Sequence, residues 1–264
     1  MPFAEYKDAR VSWKIDGSGP PLVLVHGTGG DAESNWAAVV PQLGRHWTVI
    51  RPEFSGSGAT TDGGGPLSAE DVAGQVLAAA EAAGAGRFHL MGFSLGAAIA
   101  ARIAGAHPER VRALVLLAGF QSGGDTRMAL QFGLWRDLIA RDRAAMARLI
   151  LLTGFSPEAL AGWSAAARDA ALADILETTD WEGMARQVAL DEIIDVSASV
   201  RAIRVPTLVI GCAEDQMVPV AHARGLARDI PGAVYAELPT GHLAPLEQPA
   251  ALAEMVAAFL ARQA

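Results

Sequence analysis

The sequence predicts an α/β protein built on a mostly parallel, doubly wound sheet. Three observations carry that expectation. Short apolar runs rich in β-branched residues recur at residues 10–16, 21–27, 47–53, 88–94, 111–119, 206–212 and 233–239. Most are nearly continuous rather than alternating, which is the pattern of strands covered on both faces. Segments of helical character stand between them, at 68–83, 95–107, 220–229 and 249–263, and alternating strands and helices imply right-handed crossovers.

Each element has a local reason. The run at 21–27 ends in His26-Gly27-Thr28-Gly29-Gly30, a glycine-rich loop able to present backbone N–H groups. It is not a phosphate loop, because no Gly-Lys-Ser/Thr follows. After the run at 47–53, the stretch 56–61 lacks the third glycine of a dinucleotide fingerprint, and the glycines at 63–65 suit a flexible surface loop. Ser68 and Asp71 form a capping box that opens the helix at 68–83. The run at 88–94 passes into the helix at 95–107 through Gly92-Phe93-Ser94-Leu95-Gly96.

Beyond the run at 111–119 the alternation stops. Residues 120–200 are almost wholly helical in character, and the βα pattern resumes only at Val205-Pro206. Structureless loops rarely exceed about 12–15 residues, so this stretch is expected to be a helical cap inserted between two parts of one core, 1–119 and 201–264. It carries Trp135, Trp163 and Trp181, half of the six tryptophans. The plainest use for most of these is packing inside the cap itself.

Composition narrows the function. The 264 residues are 51% hydrophobic and 19% charged, with a mean hydropathy of +0.25, enough to build a large core. A net charge of -8 disfavours nucleic acid or an anionic membrane surface as partner. The single cysteine, Cys212, excludes an intrachain disulfide and fits a reducing compartment. The amino terminus lacks the basic start and apolar stretch of a signal peptide, and no apolar run approaches the ~18 residues of a membrane span. The expectation is a cytoplasmic soluble protein; the oligomeric state is not legible.

Ser94 carries the chemistry. At a strand-to-helix joint, a serine in a strained turn projects its hydroxyl from the strand tip, and the residues two before and two after are forced together. Only glycine-sized groups fit there, which accounts for Gly92 and Gly96. A serine hydroxyl is a weak nucleophile until a base takes its proton, and the base needs an orienting acid. His242, just past the run at 233–239, supplies the base. Asp215, just past 206–212, supplies the acid. The order Ser, Asp, His is the one this strand–turn–helix architecture uses. The backbone amides of Thr28 and Leu95 are the expected oxyanion-hole donors.

Other candidates have plainer uses. His26 is expected to be buried and hydrogen-bonded within its own loop, His89 and His107 to be structural, His46 and His222 to lie at the surface. Cys212 lacks an activating neighbour and is expected in the core. No His, Cys or carboxylate spacing suggests a metal, and no cofactor is implied.

Together these residues resemble the α/β-hydrolase-fold superfamily, in its capped, esterase-like form, over essentially the whole chain. The matching stretches are His26 to Gly29, Arg51 to Gly58, Gly92 to Gly96, His107 to Val111, Asp215 with Pro219, and Gly241-His242 with Glu247 and Pro249. One departure stands out: relatives commonly read Asp-x-Pro-Gly where this chain has Glu53-Phe54-Ser55-Gly56. The turn holding Asp215 is also one residue longer than the shortest family form, which makes Glu214 an alternative acid, and some relatives place the acid beyond the run at 111–119, where Asp125 stands. The resemblance implies a sheet of about eight strands, a triad of Ser94, His242 and Asp215, and a small ester, lactone, thioester or activated carbonyl compound as substrate. The aromatic side chains Phe132, Trp135, Phe155 and Trp163 are the candidates for the pocket wall facing Ser94. Two other readings keep the scaffold: a lyase or isomerase using His242 as base, and a non-catalytic ligand-binding relative.

Overall fold

Alternate residues of each central strand enter two different cores, and this explains the continuous apolar runs. The computed structural model describes residues 1–263. Among them, eight strands form one sheet in the order β1-β2-β4-β3-β5-β6-β7-β8. The strands are β1 (Phe3–Tyr6), β2 (Ala9–Asp16), β3 (Pro21–Val25), β4 (Thr48–Glu53), β5 (Phe88–Phe93), β6 (Val111–Leu117), β7 (Thr207–Cys212) and β8 (Val234–Leu238). Pairing is antiparallel from β1 to β2 and from β2 to β4, and parallel from β4 onward. Leu114 and Leu116 of β6 join one buried cluster, whereas Ala113, Val115 and Leu117 join the other. Each such side chain removed from water contributes about 1.5–3 kcal/mol, so both faces demand apolar residues.

The helices cover those faces. α2 (Ala69–Ala82), α3 (Leu95–Ala106), α9 (Ser197–Ala202) and α10 (Val220–Asp229) supply the first cluster, through Val76, Ile99, Val200 and Leu226. α1 (Val40–Leu43) and α12 (Pro249–Leu260) supply the second, through Leu43, Leu252 and Val256. α3 is flanked by α2 and α9 as well as by the sheet. That is why its alanine-rich sequence is buried almost all round. Ser68 accepts from the Asp71 amide at 3.0 Å, as the capping box requires.

Between β6 and β7, apart from one isolated bridge of Ser122 with Asp195, the chain runs through helices. These are α4 (Thr126–Arg141), α5 (Arg143–Gly154), α6 (Pro157–Ala161), α7 (Ala165–Thr178), α8 (Trp181–Ile193) and then α9. α8 lies hard against the core: a Cβ on either Gly56 or Gly183 would collide with the backbone of the other. Arg186 of α8 forks onto Asp62 at 2.6 and 3.1 Å.

The sequence reading ran the strands too long at their carboxyl ends. Residues 26–27, 94 and 118–119 leave the sheet, because the loops there turn to form other contacts. It also missed β1, which has four residues and pairs only with β2. Because β3 is flanked by β4 and β5, the chain reverses its direction of winding between β3 and β5. In open α/β sheets ligands bind at the carboxyl ends of the strands at such a point. The loop after β3 holds Thr28 and the turn after β5 holds Ser94. Among the described residues no helix is long and apolar enough to cross a membrane.

Candidate active site

The turn after β5 is strained at one residue. Ser94 has φ 55° and ψ -121°, a region that costs a non-glycine residue about 1–3 kcal/mol. Its amide donates to the Leu117 carbonyl at 3.0 Å, which ties the turn to the neighbouring strand. The flanking glycines are required by space. A Cβ on Gly92 would strike the Gly96 carbonyl, and one on Gly96 would strike the carbonyls of Val25 and His26. A Cβ on Gly27 would stand 3.0 Å from the Ser94 Cβ. Thus the loop after β3 lies directly against the serine.

His242 and Asp215 meet although 27 residues separate them. His242 Nδ1 is 2.7 Å from Asp215 Oδ2. The other carboxylate oxygen, Oδ1, accepts the amides of Met217 at 2.9 Å and Val218 at 2.7 Å. Both side chains are buried. A carboxylate facing Nδ1 favours the tautomer with its proton on that nitrogen, which leaves Nε2 as the acceptor. The His242 ring also packs on Phe93, the residue before Ser94, with centroids 4.9 Å apart.

The neighbouring acids take other places. Glu214 is exposed and uses its amide on Thr240. Asp125 caps α4 by accepting from Arg127 and Met128, and stands 3.4 Å from His222. His26 is fully buried and bonds the Gly27 carbonyl through Nδ1 at 2.9 Å, while its ring stacks on Phe54 at 3.9 Å. Burial lowers the His26 pKa and keeps the ring neutral. Cys212 is buried, and burial pushes its thiol up to about 12. No group of three His, Cys, Asp or Glu residues that could hold a metal ion occurs among the described residues.

The loop after β3 is held from both sides. Asn35 accepts the Gly27 amide at 2.8 Å from the core side. From α8, Gln187 accepts the Gly29 amide at 2.7 Å, and Asp191 accepts the Thr28 hydroxyl at 2.6 Å. The sulfur of Met184, also on α8, would lie 2.9 Å from a Cβ on Gly29, whose φ is +69°. The backbone amides of Thr28 and Leu95 donate to no protein acceptor among the described residues. Both are free to take a ligand oxygen.

The other two loops are braced by the same helical stretch. Arg127 and Gln131 of α4 donate to the Met217 carbonyl, in the Asp215 loop, at 3.0 and 2.9 Å. The Leu243 amide donates to Gly154 at the end of α5. Glu247, in α11 (Ala244–Glu247), accepts from the amide and hydroxyl of Ser156 at 2.9 and 2.6 Å, and from the Gly241 amide at 3.1 Å. Sequence reasoning missed Asn35, Met184, Gln187 and Asp191, whose partners are fixed only by the fold. Glu247 stood among the matching residues without a role.

The aromatic candidates divide into two pairs. Phe132 and Trp135 are 5.7 Å apart and pack with Phe120 in the buried cluster that also holds Leu95, Met184 and Met217. Phe155 and Trp163 meet edge to face at 4.9 Å. The Phe155 backbone abuts Gly241, next to His242, where a Cβ would collide with it. A cleft of about 690 Å³ opens between α5, α6 and α7, lined by Leu151, Leu152, Leu160, Trp163 and Leu172 among others. Ser94 does not line it.

Known proteins resemble this one throughout its length. The model of the alpha/beta hydrolase fold family matches residues 20–249. A pyrrolizixenacetamide deacetylase of Xenorhabdus hominickii is 52% identical over 253 residues, which is 96% of this chain and 95% of that protein. A putative carbamate hydrolase of Klebsiella pneumoniae is 33% identical and covers 84% of each chain. The crystal structure of an enol-lactonase from Burkholderia xenovorans superposes with a TM-score of 0.88 at 26% identity, over 98% of this chain and 100% of that one. The chain is therefore a member of the α/β-hydrolase fold family, and a hydrolase.

Proposed function

We propose that this hydrolase removes a small acyl group, with acetyl as the first candidate, from an amide or ester of a small organic molecule through an acyl-enzyme on Ser94. The observation that carries the reading is the buried His242–Asp215 pair, packed on Phe93 beside a serine in a strained turn. The named activity of the 52% identical relative, a deacetylase acting on an acetamide, supports the acyl class. That class adds amides to the esters, lactones and thioesters expected from the sequence.

In this mechanism the Nε2 of His242 takes the Ser94 proton as the hydroxyl oxygen attacks the acyl carbonyl. The negative charge that develops on the carbonyl oxygen is met by the amides of Thr28 and Leu95, the latter at the start of α3, where unpaired N–H groups favour an anion. Asp215 holds the imidazolium in place. An amine is a poor leaving group until protonated, so His242 must hand the proton to the nitrogen before the carbon–nitrogen bond breaks. Water, activated by the same imidazole, then releases the acid and frees Ser94.

Residues 120–200 act in this reading as a cap that excludes water and selects substrate by shape. The core parts at 1–119 and 201–264 carry the triad. Phe155, beside the His242 loop, and the Phe132–Trp135 pair are the proposed wall of the pocket. A panel of N-acetyl amides, acetate and longer-chain esters, lactones and thioesters, with released acid quantified, tests the proposal. Acetate release from amides and esters is expected. Cleavage confined to carbon–carbon bonds, or elimination without incorporation of water, would replace it.

A further inference from the structure

Asp191 is a carboxyl group with an odd environment. It belongs to α8, is 1% exposed, and is bound on one side only, by the Thr28 hydroxyl to Oδ2. Its Oδ1 is buried and has no protein partner. Among the described residues no cation balances it. Its neighbour Glu192 is the charged group that acts on it, and Arg136 of α4 is bound to Glu192 instead. The loop after β3 brings the Thr28 hydroxyl, and the segment after β6 passes so close that a Cβ on Gly123 would strike the Asp191 carbonyl. A carboxylate without a cation in such a place is costly, and the group responds by keeping its proton.

We propose that Asp191 is a positioning residue for the oxyanion hole: by binding the Thr28 side chain from α8, it fixes the peptide whose amide receives the developing negative charge. The inference rests on the reading of Thr28 as an oxyanion donor. Gln187, one helical turn earlier, holds the next amide, so the two residues form one strut from α8 to the loop. Burial raises the Asp191 carboxyl to about 8, so at neutral pH the strut is uncharged. Deprotonation would set a buried negative charge against the side chain of the residue whose amide meets the oxyanion, and the two charges would repel.

The test uses the purified full chain with p-nitrophenyl acetate. Asp191→Leu removes the strut, Asp191→Asn keeps a neutral group able to accept from Thr28, and Thr28→Val removes the hydroxyl while keeping the backbone amide. A donor displaced by an ångström can cost up to ~10² in rate. Asp191→Leu and Thr28→Val should each lower kcat by about tenfold or more with KM within about twofold, and the double variant should lose little more than either. Asp191→Asn should recover most of that loss. It should also abolish the fall in kcat/KM expected of the wild type as pH rises through about 8. An unchanged alkaline limb in Asp191→Asn, or normal kcat in Thr28→Val, would overturn the proposal. If Asp191→Leu does not fold, Thr28→Val and Asp191→Asn still decide. Fluorophosphonate labelling of Ser94 in the wild type keeps the two readings apart. Absence of labelling sinks the serine mechanism, whereas normal labelling together with normal kcat in Thr28→Val sinks only the strut.

Discussion

Asp215 binds His242 with one oxygen, at 2.7 Å, and the amides of Met217 and Val218 with the other. The carboxylate is thereby fixed in orientation before it meets the imidazole. Asp215→Asn keeps the shape but presents an amide N–H or a neutral oxygen to Nδ1, and the imidazole can then adopt the wrong tautomer. The expected result is a fall in kcat of ~10⁴ with little change in KM, read by steady-state kinetics on any substrate that is turned over. Glu214→Gln, at an exposed position on the same loop, should be nearly silent.

Gly96 sits where a side chain would enter the carbonyls of Val25 and His26. Gly96→Val should therefore misfold or lose solubility rather than lose activity alone. Soluble expression and thermal melting check this. Gly86, whose Cβ would meet nothing within 4 Å, is the matched control, and Gly86→Val should express normally.

Glu247 joins the His242 loop to the α5–α6 junction by accepting from Gly241 and from both polar groups of Ser156. Glu247→Ala leaves the buried Ser156 hydroxyl proton without its acceptor, at a cost of about 1–3 kcal/mol. The melting temperature should fall by several degrees, and activity should fall with it because Gly241 precedes His242. Glu247→Gln, which can still accept one of these bonds, should recover part of both. Equal melting in all three proteins would show that the junction is not held here.

Asp191 makes stability depend on pH in an unusual direction. Its folded-state pKa is raised from 3.8 to about 8 by burial, so between those values the folded state binds more protons than the unfolded chain. Stability from this group is then greatest below about pH 4 and is lost as pH rises toward 8. Asp191→Asn removes the dependence. The variant should melt close to the wild type at pH 4 and clearly above it at pH 8, as measured by calorimetry in matched buffers.

Much of this was legible in the sequence because the signals are local. Gly92, Ser94 and Gly96 lie within one turn, and Asp215 and His242 each follow a strand that hydrophobicity alone identifies. The bracing of the three loops was not legible. Thr28 and Asp191 are 163 positions apart and Gly29 and Gln187 are 158 apart. Nothing in either neighbourhood marks a polar residue on α8 as facing a loop rather than water. The strand ends were misjudged for a related reason: Gly27 and Ser94 are small residues that continue the runs before them, yet the chain leaves the sheet where Gly27 packs on Ser94 and Gly96 on the carbonyls of Val25 and His26.

The central claim is that Ser94 forms the acyl-enzyme with His242 as its base. The most direct measurement is intact mass spectrometry after brief reaction with a fluorophosphonate, followed by peptide mapping. The account predicts one adduct per chain, located on the peptide holding Ser94, no adduct in Ser94→Ala, and strongly slowed labelling in His242→Ala. Labelling at another residue, no labelling of the wild type, or more than a tenth of wild-type turnover in Ser94→Ala would contradict it.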